Sequence, residues 1–284
     1  IKAPTNLLIS DRMDRIYGGD MAKWEGLCKA LKARLWLRKL PNWDNNAAVC
    51  QEIIRLADDA LASFEEPRYY YPGGVTESNC PWGPYAPKIN SWESRDNRLA
   101  SSLPTTFFMH GILGSYDHKD GQFKTTRGYA LDPRASRMME QRTEEKNNSM
   151  RHLESNIGGD IDKTIVNYPN LLAADNPYTQ NTGYIALITR EELMFIKAEA
   201  QYWLGQKTEA YNTTKQAIER SFERYSVRGN IGEIDDKGKV KVDEEGLINL
   251  FYSLRMPADK FTIATLMQQK YVAMYLQPEQ WTDM

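Results

Sequence analysis

The sequence predicts a mainly α-helical protein in which two helical pairs and a terminal helix flank a long irregular insertion with short β-hairpins. Three observations favour this class. Apolar residues recur at three- and four-residue spacing towards both ends of the chain, turn residues separate these runs, and the spacing is lost between residues 65 and 187. With 284 residues, 41% of them hydrophobic, the chain can bury a sizeable core in one or two domains.

The first helical pair is expected over residues 19–64. Asp20 can cap the free N–H groups of the first turn, and Pro41 ends the helix. A second periodic run follows after a short turn and reaches Phe64, so the two helices should lie antiparallel. The predicted buried stripe of the first helix consists of Trp24, Leu27, Cys28, Leu31, Leu35 and Trp36.

The second helical pair and the terminal helix are expected over residues 188–284. Thr189 followed by Glu192 forms a capping box, and Gly205 ends the helix. A partner helix begins at Thr208, in an order typical of a tetratricopeptide unit. The predicted buried stripe of the first of these helices is Leu193, Ile196, Ala200 and Leu204, and the terminal helix runs from Ile263 to Tyr275.

Four segments of the chain resemble the SusD/RagB family. They are Gly18-Gly19-Asp20 with Lys23-Trp24, the step Asp132-Pro133-Arg134, the helix Ile188–Ala200 with Lys197-Ala198-Glu199-Ala200, and Gln269-Lys270-Tyr271 followed by Glu279-Gln280-Trp281. The resemblance spans nearly the full chain but is dense only in the three helical blocks. The arginine-bearing segment that usually follows in the family is missing, and the chain corresponds to about the C-terminal half to two-thirds of a member.

The resemblance implies a SusD-like α/α superhelix, present here as a single domain fragment. It would comprise a helical pair at 19–64, an irregular ligand-binding region at 65–187, and a helical pair with a terminal helix at 188–284. The implied function is a cell-surface protein that binds oligosaccharide and delivers it to a TonB-dependent, SusC-like transporter. The implied location is the outer membrane, through a lipid anchor on a part absent from this chain.

The composition agrees with a binding protein. The net charge of −2 gives no basic excess for nucleic acid, and no apolar run is long enough to span a bilayer. No nucleophile elbow, phosphate-binding loop or zinc-protease motif occurs, so we do not expect an enzyme. Glu199 is interpreted as part of a salt bridge, either on the helix surface or between helices, rather than as a catalytic acid.

The aromatic content of the irregular region points to a binding surface. Between Glu65 and Trp92, aromatic rings are interleaved with prolines and glycines, a composition too aromatic for disorder. Flat rings on a loop can stack on the C–H faces of sugars. For any single ring, packing onto the helices is the competing interpretation. The candidate ligand-binding residues are Tyr71, Trp82, Tyr85, Trp92 and Tyr116.

The sequence gives no cofactor or metal site. Cys28 and Cys50 are expected to be buried on helical stripes, Cys80 lies in a loop, and the three make no recognisable disulfide or metal pattern. The spacing around Gly121 and Gly238 does not fit a calcium loop of the EF-hand type. A structural calcium ion held by irregular ligands leaves no such spacing, so the sequence neither predicts nor excludes one.

Local turn chemistry predicts further features. Hairpins are expected at Ser115–Phe123 and Ile234–Val242, and the Asp132–Arg134 segment should have a structural role in which Arg134 pairs with a carboxylate.

Two other functions remain open. A peptide-capturing protein of the same family would use the rings together with Arg95 or Arg134. A tetratricopeptide-type scaffold would instead bind a protein partner through an exposed apolar groove on its helices.

Overall fold

The structure, a computed structural model, describes residues 13–40, 46–83, 108, 112, 116–117, 122–123, 132–138, 176–227 and 244–282. The chain groups into two compact units. The first comprises Ile1–Tyr70, Tyr184–Arg220 and Phe261–Met284, and the second comprises Tyr71–Gly183 and Ser221–Lys260.

The described residues form mainly α-helices, which confirms the predicted class. The helices are α1 (Met21–Lys39), α2 (Ala47–Leu61), α3 (Ala135–Met138), α4 (Arg190–Trp203), α5 (Lys207–Arg224), α6 (Glu244–Arg255), α7 (Ile263–Ala273) and α8 (Glu279–Thr282). The strands are β1 (Arg68–Tyr70), β2 (Tyr116–Asp117), β3 (Gln122–Phe123) and β4 (Tyr184–Ala186).

The core of the first unit lies between α1, α2 and α4. The helix α2 packs against both α1 and α4, and α7 packs on α4. Small residues let these helices approach closely, because a buried alanine adds little bulk between two backbones. The fully buried small residues of the three helices are Ala30, Ala33, Ala57, Ala60, Ala198 and Ala200. The predicted helical pair at the start of the chain is therefore confirmed.

Polar side chains fix the starts of these helices. Asp20 accepts hydrogen bonds from the backbone N–H groups of Ala22 and Lys23, at 3.0 and 3.3 Å, as predicted. Thr189 accepts from the N–H of Glu192 at 3.1 Å, which confirms the Thr189 half of the predicted capping box. The Glu192 carboxylate binds Arg34 of α1.

The turn between α4 and α5 depends on Gly205. This residue adopts a φ of +79°, in the left-handed region that glycine enters without steric conflict. The N–H of Gln206 donates to the carbonyl of Gln201, and the N–H of Gly205 donates to that of Tyr202, both at 2.9 Å. These two hydrogen bonds form a Schellman motif, which ends α4 at the glycine that the sequence predicted.

Phe261 lies beside both helices of this second pair. Its ring meets Tyr202 of α4 and Tyr211 of α5 edge-on, with centroid distances of 6.0 and 5.4 Å. Such edge-to-face contacts stabilise aromatic clusters beyond their burial alone. Phe261, which lies just before α7 in the chain, therefore packs against both α4 and α5.

The predicted buried face of α1 is partly wrong. Leu27 is buried, but Cys28 is exposed and Leu35 is 58% exposed. Arg34 is buried instead, because Glu192 neutralises its charge across the helix interface. The buried face of α1 therefore consists mainly of small residues and one ion-paired arginine. The spacing of apolar residues alone does not predict this face.

Two short antiparallel ribbons accompany the helices. In the first unit, β1 pairs with β4, and Tyr69 lies opposite Ile185. In the second unit, β2 pairs with β3, and Tyr116 lies opposite Phe123. The second ribbon confirms the predicted hairpin around residues 115–123, whereas the hairpin expected at Ile234–Val242 lies outside the described residues.

A buried ion pair connects two segments of the second unit, residues 132–134 and the residue Ser221. Arg134 donates to both carboxylate oxygens of Asp132, at 2.9 and 2.6 Å, and to the Ser221 hydroxyl at 3.1 Å. Asp132 also accepts from the backbone N–H of Arg134 and closes an Asx-turn. Both side chains are fully buried, which confirms the predicted structural role of this segment.

Two inter-helix salt bridges join elements of the first unit. Lys270 of α7 lies 3.4 Å from the Glu199 carboxylate on α4, as the sequence predicted for that glutamate. Lys197 of α4 donates to Asp58 of α2 at 2.6 Å. These contacts assign Glu199 and Lys197 of α4 to the packing of helices.

Candidate functional site

The aromatic segment continues into an ordered loop of the second unit. Residues 71–83 run beside residues 176–183, and backbone hydrogen bonds connect the two stretches. The N–H of Tyr71 donates to the Gly183 carbonyl at 3.0 Å, and the N–H of Cys80 donates to the Asn181 carbonyl at 2.8 Å. The two stretches together are called the loop platform below.

The interior of the loop platform is held by Cys80 and by the turn that begins at Asn176. The Cys80 thiol donates to the Tyr178 carbonyl at 3.4 Å, and burial raises the pKa of this thiol. The Asn176 side-chain oxygen accepts from the backbone N–H of Tyr178 at 3.0 Å, and its carbonyl accepts from the Thr179 hydroxyl. A neutral, buried thiol with these contacts is structural rather than reactive.

Trp82 lies at the surface of the loop platform. The residue is 36% exposed, so it is partly accessible to a ligand. The next residue, Gly83, is pressed against the neighbouring stretch. A Cβ atom at Gly83 would lie 2.8 Å from the Asn181 side-chain oxygen and 2.9 Å from the Asn181 Cα. The backbone at Gly83, the residue after Trp82, therefore packs closely against Asn181.

The other predicted site residues are placed as follows. Tyr71 is half-buried in the loop platform, and Tyr116 begins β2, but the structure does not describe its side chain. Tyr85 and Trp92 lie outside the described residues. The assignment of these five residues to a ligand site stays a prediction.

A second group of aromatic side chains lies on the β1–β4 ribbon of the first unit. Tyr70 is 55% exposed, and its hydroxyl accepts from Arg68 at 3.2 Å. The Arg68 guanidinium lies over the ring of Tyr184, 4.5 Å from its centroid, and the ring of Tyr70 lies 5.3 Å from that of Tyr184. Tyr70 was not among the predicted site residues. In a strand, successive side chains point to opposite faces, so Tyr70 would lie on the face opposite to Tyr69 and Tyr71.

Electrostatics hold Arg68 charged in this group. Burial lowers the pKa of Arg68, but its hydrogen bond to Tyr70 and the nearby Glu66 carboxylate outweigh that effect and raise it above its usual value. The Glu66 oxygens lie 3.3 and 3.5 Å from the guanidinium nitrogens. The charges of Arg68 and Glu66 therefore compensate each other.

The structure rules out one residue of the peptide-capturing alternative. Arg134 was a candidate partner for a peptide carboxylate, but its side chain is fully buried against Asp132 and is inaccessible to a ligand. Arg95, the other candidate, lies outside the described residues.

Two general features bear on the kind of site. Among the described side chains, no three His, Cys, Asp or Glu come together in a way that could hold a metal ion. The helices in the described part of the chain are too short or too polar to cross a membrane.

Comparison with solved structures identifies the fold. The chain is similar to a SusD/RagB family protein from Bacteroides thetaiotaomicron, with 18% identity and a TM-score of 0.52, and to a SusD homolog from Parabacteroides distasonis, with 17% identity and a TM-score of 0.54. Both matches cover 96% of this chain and 54% of the solved chain. No family model and no curated protein sequence matches the chain.

The fold implied by the sequence resemblance is therefore confirmed. The chain has the fold of SusD/RagB structures, and it spans about half the length of the two structures that it matches.

Proposed function

We propose that this chain is part of a SusD/RagB-type nutrient-binding protein of the outer membrane, which captures oligosaccharide and passes it intact to a TonB-dependent transporter. The observation that carries the proposal is the similarity of fold to SusD/RagB structures over 96% of the chain. The four sequence segments that resemble the family support it independently, because a resemblance in sequence does not depend on the comparison of folds.

The loop platform is the proposed ligand-binding surface. Trp82 is partly exposed and can stack on a sugar ring, and the Asn181 carboxamide in the adjoining stretch is proposed to bond to hydroxyl groups. The backbone bonds between residues 71–83 and 176–183 hold both groups in place before a ligand arrives. A preorganised surface loses little conformational entropy on binding, which favours capture.

The proposed mechanism is capture without bond cleavage. Stacking on Trp82 and hydrogen bonding to Asn181 stabilise the bound sugar but offer no proton transfer or nucleophile. Tyr71, Tyr85, Trp92 and Tyr116 are proposed to extend this surface, on the basis of their ring chemistry and position in the sequence. Release to the transporter then requires only dissociation.

Binding screens with two ligand classes test this proposal. The protein is applied to immobilised oligosaccharides and to immobilised peptides, and each ligand that binds is titrated by calorimetry against the wild type and the Trp82→Ala variant. We expect saturable binding to a glycan and recovery of that glycan unaltered. Binding to peptides alone would transfer the function to the peptide-capturing alternative, and released sugar products would overturn the binding-protein assignment.

A protein-interaction scaffold is the second candidate function, and one observation favours it. Met21, Cys28 and Leu35, spaced seven residues apart on α1, are all exposed. Such spacing places them on one side of the helix, as an apolar stripe that a protein partner could cover. A Leu35→Lys variant that keeps glycan binding but loses a copurifying protein would assign this stripe to partner binding.

A further inference from the structure

We infer that one face of the β1–β4 ribbon is a separate saccharide-binding surface, formed by Tyr70 and Arg68 and selective for neutral pyranose units. This inference rests on the proposed function, because it concerns the same class of ligand. It places a binding surface in the first unit of the chain, whereas the loop platform belongs to the second.

The register of the ribbon brings the necessary side chains to one face. Arg68 pairs with Ala186 and Tyr70 pairs with Tyr184, whereas Tyr69 pairs with Ile185. Because side chains alternate along a strand, Arg68, Tyr70 and Tyr184 share one face and Tyr69 belongs to the other. The ring and guanidinium contacts between these three residues agree with this assignment.

The ring of Tyr70 is exposed but held in place. Its hydroxyl accepts from Arg68 at 3.2 Å, and its ring packs at 5.3 Å against Tyr184, which is itself buried. An exposed aromatic ring with few accessible rotamers presents a flat surface to a sugar at little entropic cost. Stacking of sugar C–H groups on such a ring requires no movement of the protein.

Arg68 supplies the polar half of the surface. Its guanidinium lies over the Tyr184 ring, and about a third of the Arg68 side chain remains exposed. Planar N–H donors at the edge of an aromatic ring can bond to the hydroxyl and ring oxygens of a stacked sugar. The pair therefore combines stacking with hydrogen-bond donation within one strand.

The charge balance of the ribbon favours a neutral sugar. The Glu66 carboxylate, whose side chain is only 8% exposed, lies 3.3 Å from the Arg68 Nε. An acidic sugar would have to displace this carboxylate or approach it closely, and two like charges so near each other repel. A neutral pyranose meets no such opposition.

The test is saturation-transfer NMR with separate hexasaccharides. Maltohexaose, cellohexaose and xylohexaose are the neutral probes, and hexagalacturonate is the acidic probe. We expect transfer to at least one neutral probe, with an affinity that Tyr70→Ala lowers by about three- to tenfold, the range that ring stacking supplies. Tyr70→Phe, which keeps the ring, should change the affinity by no more than about twofold.

Two control variants separate this inference from the proposed function. Tyr69→Ala alters the opposite face of the ribbon and should leave the affinity unchanged. If Trp82→Ala removes all binding and Tyr70→Ala removes none, the ribbon surface is wrong while the proposed function stands. Absence of transfer to every neutral probe, or stronger Tyr70-dependent transfer to hexagalacturonate, would also overturn the inference.

Discussion

Arg34 of α1 and Glu192 of α4 form a buried, bidentate ion pair. The guanidinium donates to the two carboxylate oxygens at 2.6 and 2.8 Å, and the side chains are only 8% and 2% exposed. The same guanidinium donates to the carbonyl of Leu187 at 2.8 Å. The charged side chain thus joins two helices and the end of the β1–β4 ribbon within the first unit.

Removing Arg34 should strongly destabilise the protein. An Arg34→Ala variant leaves the Glu192 carboxylate buried without its main cation, and the loss of one partner of a buried ion pair costs about 3–5 kcal/mol. Chemical denaturation of wild type and variant measures the change in the free energy of unfolding.

Arg55 is the matched control for this experiment. It also pairs with two carboxylates, Glu52 and Asp59, but on the exposed surface of α2. The Arg55→Ala variant should lose less than about 1 kcal/mol, as exposed pairs do. Equal losses for the two variants would contradict the structural role assigned to Arg34.

Asp14 should make the stability of the fold depend on pH in the acid range. Burial raises the pKa of Asp14, but hydrogen bonds from the Trp24 indole and from the N–H groups of Tyr17, Gly19 and Ile16 outweigh it. The pKa falls from 3.8 to about 2. The indole nitrogen lies 2.7 Å from the carboxylate.

A folded-state pKa below the unfolded value means that the ionised carboxylate stabilises the fold. This contribution is fully present above about pH 4 and is lost as the pH falls towards about 2. Thermal unfolding over this range should show a steeper loss of Tm for the wild type than for Asp14→Asn. Parallel pH profiles for the two proteins would show that Asp14 carries no such linkage.

Ser226 should be replaceable by glycine with a gain in stability. It ends α5 with a φ of +53°, and the N–H of Val227 donates to the Phe222 carbonyl in the same pattern that Gly205 supports after α4. A non-glycine residue in this conformation costs about 1 kcal/mol, so Ser226→Gly should raise the free energy of unfolding by up to that amount.

The reciprocal change is Gly205→Ala. No atom lies within 4 Å of a Cβ at Gly205, so only the backbone conformation opposes the alanine, and the variant should lose about 1 kcal/mol. Shifts of the same sign in the two variants, measured by denaturation, would contradict the assignment of both sites to helix-ending turns.

Gly83→Ala should weaken ligand binding at the loop platform. Its Cβ would lie 2.9 Å from the Asn181 Cα and 3.0 Å from the Gln180 carbonyl oxygen, so the two stretches must separate. Overpacking of this kind costs about 1–3 kcal/mol, and it would shift the stretch that holds Asn181 relative to the stretch that holds Trp82. Calorimetric titration with a glycan that binds the wild type measures the effect.

Gly74→Ala is the control for this change. Gly74 also lies in the loop platform, with a φ of +84°, but a Cβ there meets no atom within 4 Å. This variant should lose some stability and keep its ligand affinity. If both variants bind as tightly as the wild type, the spacing between the two stretches of the loop platform does not matter for binding.

The sequence predicted the helices well because their signals are local. Asp20, Thr189 and Gly205 act within one turn of the chain, and each marks a helix end where the structure has it. The burial of Arg34 could not be predicted in this way, because its partner lies 158 residues away in the chain. The helix α6 was not predicted, although apolar residues recur in it at helical spacing.

The candidate site was less predictable than the fold. Trp82 was predicted from its ring chemistry, whereas Asn181 could not be, because only the Cys80–Asn181 backbone bond shows that the two stretches adjoin. The role of Tyr70 could not be predicted, because its strand partner, Tyr184, is far away in the sequence. Side chains that act through distant partners carry no local signal.

The affinity of the Trp82→Ala variant for a glycan that binds the wild type tests the central claim most directly. Calorimetry should show a loss of at least about tenfold, since a partly exposed aromatic anchor commonly supplies that much of the binding energy. Equal affinity of variant and wild type would contradict the account, because the loop platform would then take no part in holding the ligand.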